Sequence, residues 1–292
     1  MLAQQLVNGL FIGSVYALFA LGYTLIFGVL DILNLAHASI FMLGAFTTLV
    51  LVLKGVPLLL AILGGALAGG LLGVLLDRVA FWPLRRRQAG PLAPLISSIA
   101  VGMIYVGTAN GIFGPDVRHF PFDVVRTPTY TIGPVTFTLA QLTIFIASLA
   151  LMAGLQLLLR RTRLGAAIRA VAENPRAAQL VGIDLESVYA QTFFIASALG
   201  AVAGILFALT FNAVSSVMGS AVELKGLAVI VLGGMGSIPG SLLGGLLIGL
   251  SEDLSVAYLS SGYRDAIVFA ILFLMLIIRP TGLLGKRGLR TA

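Results

Sequence analysis

Glu223 to Asp253 reads ELKGLAVIVLGGMGSIPGSLLGGLLIGLSED, two apolar arms (Glu223 to Leu232 and Ser241 to Asp253) on either side of the breaker GGMGSIPG, Gly233 to Gly240. A helix needs about 20 apolar residues to cross a bilayer, and each arm offers less or little more than half of that. Irregular backbone at membrane depth is tolerated only where protein or water covers it. The pattern therefore predicts a re-entrant hairpin, about residues 221–257, beside a translocation path or a subunit interface, with Gly233, Gly234 and Gly236 as path candidates. The flanks impose the same arrangement. Val188 to Phe211 crosses outward, and Arg264 to Ile278 must start outside to end at the basic tail, so 212–262 has to begin and end on one side.

Composition places the chain in lipid. Of 292 residues, 59% are hydrophobic and 10% charged, too few charges to cover a water-facing surface. The net charge is +7, and 13 of the 18 basic residues fall in Arg78 to Arg87, Arg160 to Arg176 and Arg279 to Arg290. Such clustering follows the positive-inside rule and excludes nucleic acid as a partner. With no cysteine, thiol redox chemistry and thiolate metal sites are excluded. The first thirty residues lack a basic n-region and a cleavage site, and read as a retained span.

Taken in order, spans are expected at Leu6 to Leu30, Asn34 to Val52, Pro57 to Ala80, Pro91 to Phe113, Phe137 to Leu159, Val188 to Phe211, the hairpin, and Arg264 to Ile278. The fold class is all-α: one polytopic bundle, 1–292, of about eight spans with interrupted or re-entrant half-helices. Gly114 to Pro134 reads as a proline-rich outer loop. Gly65, Gly69 and Gly73 give the third span a smooth face that another helix can approach closely. Residues 1–8 carry no charged side chain, so the side of the N-terminus stays open. Asn34 to Phe46 aligns weakly on Glu223 to Met235, which fits a transporter built from two halves with matching interrupted helices.

Polar side chains inside apolar runs mark candidate path positions: Asn8, Asn34, His37, Ser97, Ser98, Glu223 and Lys225. His37 reads first as making a packing hydrogen bond to a neighbouring carbonyl and only second as lining the path, whereas Glu223 with Lys225 reads equally as a structural pair near the outer surface and as part of the route. No zinc-spaced cluster, GxSxG or GxxxxGK[ST] motif occurs, so neither a cofactor nor catalysis is expected and the chain does not hydrolyse ATP by itself.

The longest water-compatible segment is Arg160 to Glu186, RRTRLGAAIRAVAENPRAAQLVGIDLE. Apolar residues at helical spacing oppose Arg169, Asn174 with Pro175 reads as a helix start, and Gly182 as a helix end. Two short helices are expected with a break near Glu173 to Asn174. They serve either as a positive-inside anchor or as a groove-docking element for a soluble partner.

NGLFIGSVYALFALGYTLIFGVLDILNLAHASIFMLGAF, then LGAAIRAVAENPRAAQLVGID, then the hairpin stretch, resemble in that order the permease subunits of bacterial branched-chain amino acid ABC importers, over about Asn8 to Gly285. The length resembles the shorter permease of such systems. The resemblance implies a multi-pass inner-membrane subunit paired with a second permease, two cytoplasmic ABC ATPase subunits and a periplasmic binding protein. It also implies a coupling segment over 160–187, carried onto Gly165, Arg169, Ala170, Glu173, Asn174, Ala178 and Gly182. The family's usual glycine after the histidine is Ala38-Ser39 here. A stand-alone carrier or channel for small amides such as urea is the rival reading, and its mark would be transport with no ATPase present.

Overall fold

A computed structural model of the chain describes residues 2–90, 92–125 and 128–285. Pro91 and Arg126, and Lys286, Arg287 and Arg290 of the basic tail, lie outside the described residues. The helices are α1 (Leu2–Leu30), α2 (His37–Leu53), α3 (Leu58–Leu76), α4 (Trp82–Arg86), α5 (Leu92–Phe113), α6 (Phe122–Val125), α7 (Leu139–Arg161), α8 (Arg163–Glu173), α9 (Pro175–Leu180), α10 (Leu185–Phe211), α11 (Met218–Gly233), α12 (Ile238–Tyr258) and α13 (Arg264–Ile278). A π turn, Asp77–Phe81, joins α3 to α4. Among the described residues, seven helical segments are long and apolar enough to cross a membrane, and the 17-residue α2 is a shorter apolar helix beside them. The chain is a multi-pass helical membrane protein.

α1 and α10 are enclosed on all sides over most of their length, whereas α3, α5, α7 and α13 turn leucine, isoleucine and methionine outward, as lipid-facing helices do. The arrangement is an inverted repeat. A long helix, a short helix and a glycine-faced helix follow one another as α1–α2–α3 and again as α10–α11–α12. In each set the short and glycine-faced helices pack on the other set's long helix: α2 and α3 on α10, α11 and α12 on α1. The join after the long helix is also repeated. Asp31 (φ 59°) follows α1 and Asn212 (φ 45°) follows α10, both left-handed, and the short helices begin at His37 and Met218. In this register Asn34 lies opposite Ser215. The sequence match of Asn34 on Glu223 is therefore out of step by about two helical turns, because it followed a shared Leu-Gly pair and not the helix ends.

Contacts across the ends fix the orientation that the first residues leave open. Gln4 exchanges two hydrogen bonds with the Thr136 backbone, each 2.7 Å, so the start of α1 lies beside the outer loop. Arg118 and Val214 exchange backbone bonds of 2.8 Å at the same end. Arg78, Arg85 to Arg87 and the α8–α9 segment are at the opposite end, which the positive-inside rule makes cytoplasmic. α11 runs inward and α12 outward, so 212–262 begins and ends outside. α12 continues past Asp253 to Tyr258, further than the expected arm, because Glu252 is neutralised by neighbouring cations and does not end the helix.

The outer loop is more ordered than its prolines suggest. β1 (Thr129–Ile132) and β2 (Val135–Thr138) pair antiparallel around Gly133 (φ 58°), so Phe137, expected to open a span, is in a strand. Alternating threonine with Tyr130, Ile132, Val135 and Phe137 is a strand pattern. Thr138 then caps α7 in a reciprocal box with Gln141.

Backbone proximity joins the two sets. A Cβ on Gly249 would overlap the Gly13 backbone of α1, and one on Gly69 or Gly73 would overlap Ala201 or Ser197 of α10. Gly107 on α5 has open space. Gly249→Val is expected to destabilise the bundle by about 1–3 kcal/mol, from overpacking against a backbone that cannot yield. Gly107→Ala should change stability by less than about 0.5 kcal/mol. Denaturant titration of the purified chain in detergent, followed by circular dichroism, measures both.

Candidate functional site

On the cytoplasmic face α8 and α9 form the segment that follows α7. The Thr162 hydroxyl accepts from Gly165 N at 3.0 Å and donates to the Leu158 carbonyl at 2.7 Å, capping α8 as the chain turns. Gly165, Ile168 and Val171 are buried where α8 meets α7, α1 and α10. At Gly165 the carbonyls of Leu158 and Leu159 occupy the room a side chain would take. Asn174 ends α8 and caps α9, its Oδ1 accepting from Ala177 N at 3.0 Å, with Pro175 opening the new helix. Gly182, at φ +86°, closes α9 with its N–H on the Gln179 carbonyl at 3.0 Å. The seven expected coupling positions divide by exposure. Gly165 and Ala178 pack inward and Ala170 is half-buried, whereas Arg169, Glu173, Asn174 and Gly182 face water. Sequence reading missed the tip: Leu180 is 89% exposed and Val181 77%, two apolar side chains presented to solvent beside Arg176.

Towards the outer end α1, α11, α12 and α13 meet at a charge cluster. Glu252, 1% exposed, accepts on Oε1 from Lys225 Nζ at 2.9 Å and Tyr16 Oη at 3.2 Å, and pairs with Arg264 Nε at 3.1 Å. Lys225 also pairs with Asp265 at 3.2 Å. Glu223 and Lys225 are thus not each other's partners. Two residues apart on a helix they point to different sides, and Glu223 lies near the Tyr23 hydroxyl instead. The signal for the cluster was in part available: a tyrosine amid apolar residues inside α1, and a carboxylate pair at 252–253 followed by further apolar residues, mark positions that lipid would not accept unpaired.

The remaining polar candidates are dispersed. Asn8 accepts from Gln4 Nε2 at 3.0 Å near the outer end. Asn34 is buried in the α1–α2 connection, with its Oδ1 accepting from Ala36 N at 3.2 Å. His37 is wholly enclosed by the rings of Phe19 and Tyr23 and by Gly22 and Gly200, where a Cβ would strike the imidazole. Ser98 Oγ accepts from Leu35 N at 3.1 Å, and Ser39 donates to the Gly102 carbonyl at 3.1 Å, tying α2 to α5. At Ala38 the close approach is supplied from the other side, by Gly219 of α11. Gly233 and Gly234 are buried at the cytoplasmic end of α11, where Leu283 N and Leu284 N donate to the carbonyls of Leu232 and Gly233 at 2.8 and 3.0 Å. The segment after α13 therefore caps α11. Gly236, at φ +81°, is exposed in the turn near Gly28. Among the described residues no group of three or more His, Cys, Asp or Glu could hold a metal ion.

The family model for the permease component of the branched-chain amino acid transport system matches residues 5–276. The chain belongs to that family. The high-affinity branched-chain amino acid transport system permease protein BraD of Pseudomonas aeruginosa is 34% identical over 97% of this chain and 95% of its own length. LivH of Escherichia coli, of the same description, is 35% identical with the same coverage. A probable branched-chain amino acid transport permease protein of Methanocaldococcus jannaschii is 30% identical over 93% of this chain and 89% of its own. No solved structure matches the chain. In this permease-family chain the outer cluster holds α13 onto α11 and α12. Glu252→Ala is expected to destabilise the fold by about 3 kcal/mol, at the low end for a broken buried pair because Asp265 still compensates Lys225. It should also speed protease cleavage at 259–263, which unfolding and limited-proteolysis assays read.

Proposed function

We propose that this chain is the membrane-spanning permease subunit of an ATP-binding cassette importer in a bacterial inner membrane, moving branched-chain or related amino acids. Its partners are a second permease, two cytoplasmic ATPase subunits and a periplasmic binding protein. One observation carries the reading: a chain of the permease family presents an apolar tip, Leu180 and Val181, to water on its basic face. Exposed apolar groups outside the lipid zone mark a protein contact. The rigid, doubly capped α8–α9 pair is suited to seat in a groove of an ATPase subunit, with Arg169, Glu173 and Arg176 at the rim.

The mechanism follows from that contact. Closure of the ATPase pair pushes on 160–187, and the segment passes the push to α1 and α10, on which α8 packs. The hairpin of α11 and α12 and the buried polar centre around Asn34 and His37 move with those helices, opening the path alternately to each side. The binding protein delivers solute at the outer face, where the β-hairpin and the start of α1 lie. The chain supplies the path, and the partner subunits hydrolyse ATP.

Replacing Leu180 and Val181 together by aspartate is expected to abolish co-purification of the ATPase subunits while the chain still inserts and folds, because both side chains are free of internal contacts that hold the bundle. Pull-down from detergent extracts checks this. Undiminished recovery of the ATPase subunits would remove the tip from the interface. Solute movement by the purified chain alone in liposomes would overturn the importer reading in favour of a stand-alone carrier.

A further inference from the structure

Where the chain re-enters the membrane after the α8–α9 segment, Arg85 makes the closer of two arginine contacts that join two helices. Asp184 caps α10, its Oδ1 accepting from Glu186 N at 3.1 Å, and the Glu186 side chain reaches toward the cytoplasmic end of α3. Arg85 donates from Nη1 to Asp77 Oδ1 at 2.6 Å and from Nη2 to Glu186 Oε2 at 3.1 Å. Its guanidinium carbon also sits 4.6 Å from the centre of the Tyr189 ring. Asp77 is fully buried, and Arg78 adds a longer contact to the same Glu186 oxygen, 3.9 Å. Asp77 opens the π turn, whose i→i+5 bonding rotates the residues after it relative to an unbroken α-helix. Arg85, about two turns on, lies against the side facing α10.

We propose that Arg85 is a positioning residue that carries motion of the α8–α9 segment into the bundle, by clamping the cytoplasmic end of α3 to the first two turns of α10. The proposal rests on the importer function. Three features argue for it. Gly182, the last turn of the docking segment, is two residues from the α10 cap, so a push on the segment acts directly on the start of α10. The rest of the α3–α10 contact is smooth. Gly69 and Gly73 against Ala201 and Ser197 allow close approach but resist sliding weakly, whereas directional bonds at one end fix the register. Lastly, the site needs two diverging donors and a flat cationic face at once, which guanidinium provides and an ammonium does not.

The test uses the whole complex, permease pair, ATPase subunits and binding protein, in proteoliposomes loaded with ATP. Three quantities are read for wild type, Glu186→Gln and Arg85→Lys: solute moved per ATP hydrolysed, amount of complex assembled, and thermal midpoint. Glu186 is partly exposed and its replacement leaves the Asp77–Arg85 pair intact, so this variant folds. Both variants are expected to hydrolyse ATP while the transport-to-hydrolysis ratio falls about five-fold or more, the lower range for coupling between sites. A wild-type ratio in Glu186→Gln overturns the clamp, as does a loss confined to assembly or thermal midpoint. If Arg85→Lys does not assemble, Glu186→Gln alone decides. A wild-type complex that moves no solute on ATP would instead overturn the importer reading.

Discussion

Helices in lipid gain little from pressing apolar side chains together, since the surrounding tails are equally apolar, so association rests on how closely their backbones approach. In this chain that constraint is met twice: α12 on α1 through Gly13, Gly245 and Gly249, and α3 on α10 through Gly69 and Gly73. Bringing those backbones into contact encloses α1 and α10. It also creates a protein-lined interior in which Asn34, His37 and Glu252 are tolerated, and leaves the leucine faces of α3, α5, α7 and α13 for lipid.

Smooth contacts hold helices near one another but do not set their register along the axis. At each end of the bundle a charge cluster supplies the missing direction. Each uses an arginine from the helix that follows a glycine-faced helix: Arg85 of α4 closes on Asp77 at the end of α3, and Arg264 of α13 closes on Glu252 in α12. The inner cluster reaches α10 through Glu186, and the outer one reaches α1 through Tyr16. Burying these ions is costly, and replacing them with apolar residues of similar size would often not weaken a fold. Their contribution is therefore one of alignment: each ties a glycine-faced helix to the long helix it packs on.

The sequence made most of the long helices legible to within a few residues, because about twenty apolar residues between polar ends is a one-dimensional signal; α12 was not among them, since Glu252 and Asp253 read as the end of a half-length arm in what is a 21-residue helix. The break at Asn174 and the close at Gly182 were legible for a similar reason, since capping needs particular residues at particular places. Gly65, Gly69 and Gly73 announced a close approach but not its partners, α10 for Gly69 and Gly73 and chiefly α2 for Gly65. What could not be read was long-range. That Lys225 faces Glu252 and not Glu223, and that Arg85 spans Asp77 and Glu186, depends on residues 27 and 101 positions apart meeting across helices. The repeat was visible, yet its register was not, because it is carried by helix lengths and by the left-handed pair Asp31 and Asn212, and scarcely by side-chain identity.

The two halves of the repeat are not mechanically equivalent. α1 begins at the outer face, where Gln4 rests on β2, while α10 begins at the basic face and is entered directly from α9 through Gly182 to Asp184. α8 packs on both long helices, but only α10 is continuous in chain with the segment. A force applied on the cytoplasmic side therefore enters one half first. With α3 fixed to α10 by Arg85, and α12 fixed to α1 through Glu252 and Tyr16, the two pairs can shift against each other along the α1–α10 contact. That contact runs past His37, which the glycines at 22 and 200 hold between the two long helices. Relative motion of the pairs thus falls where the buried polar residues of the bundle lie, so the same inverted repeat that encloses them also concentrates displacement on them.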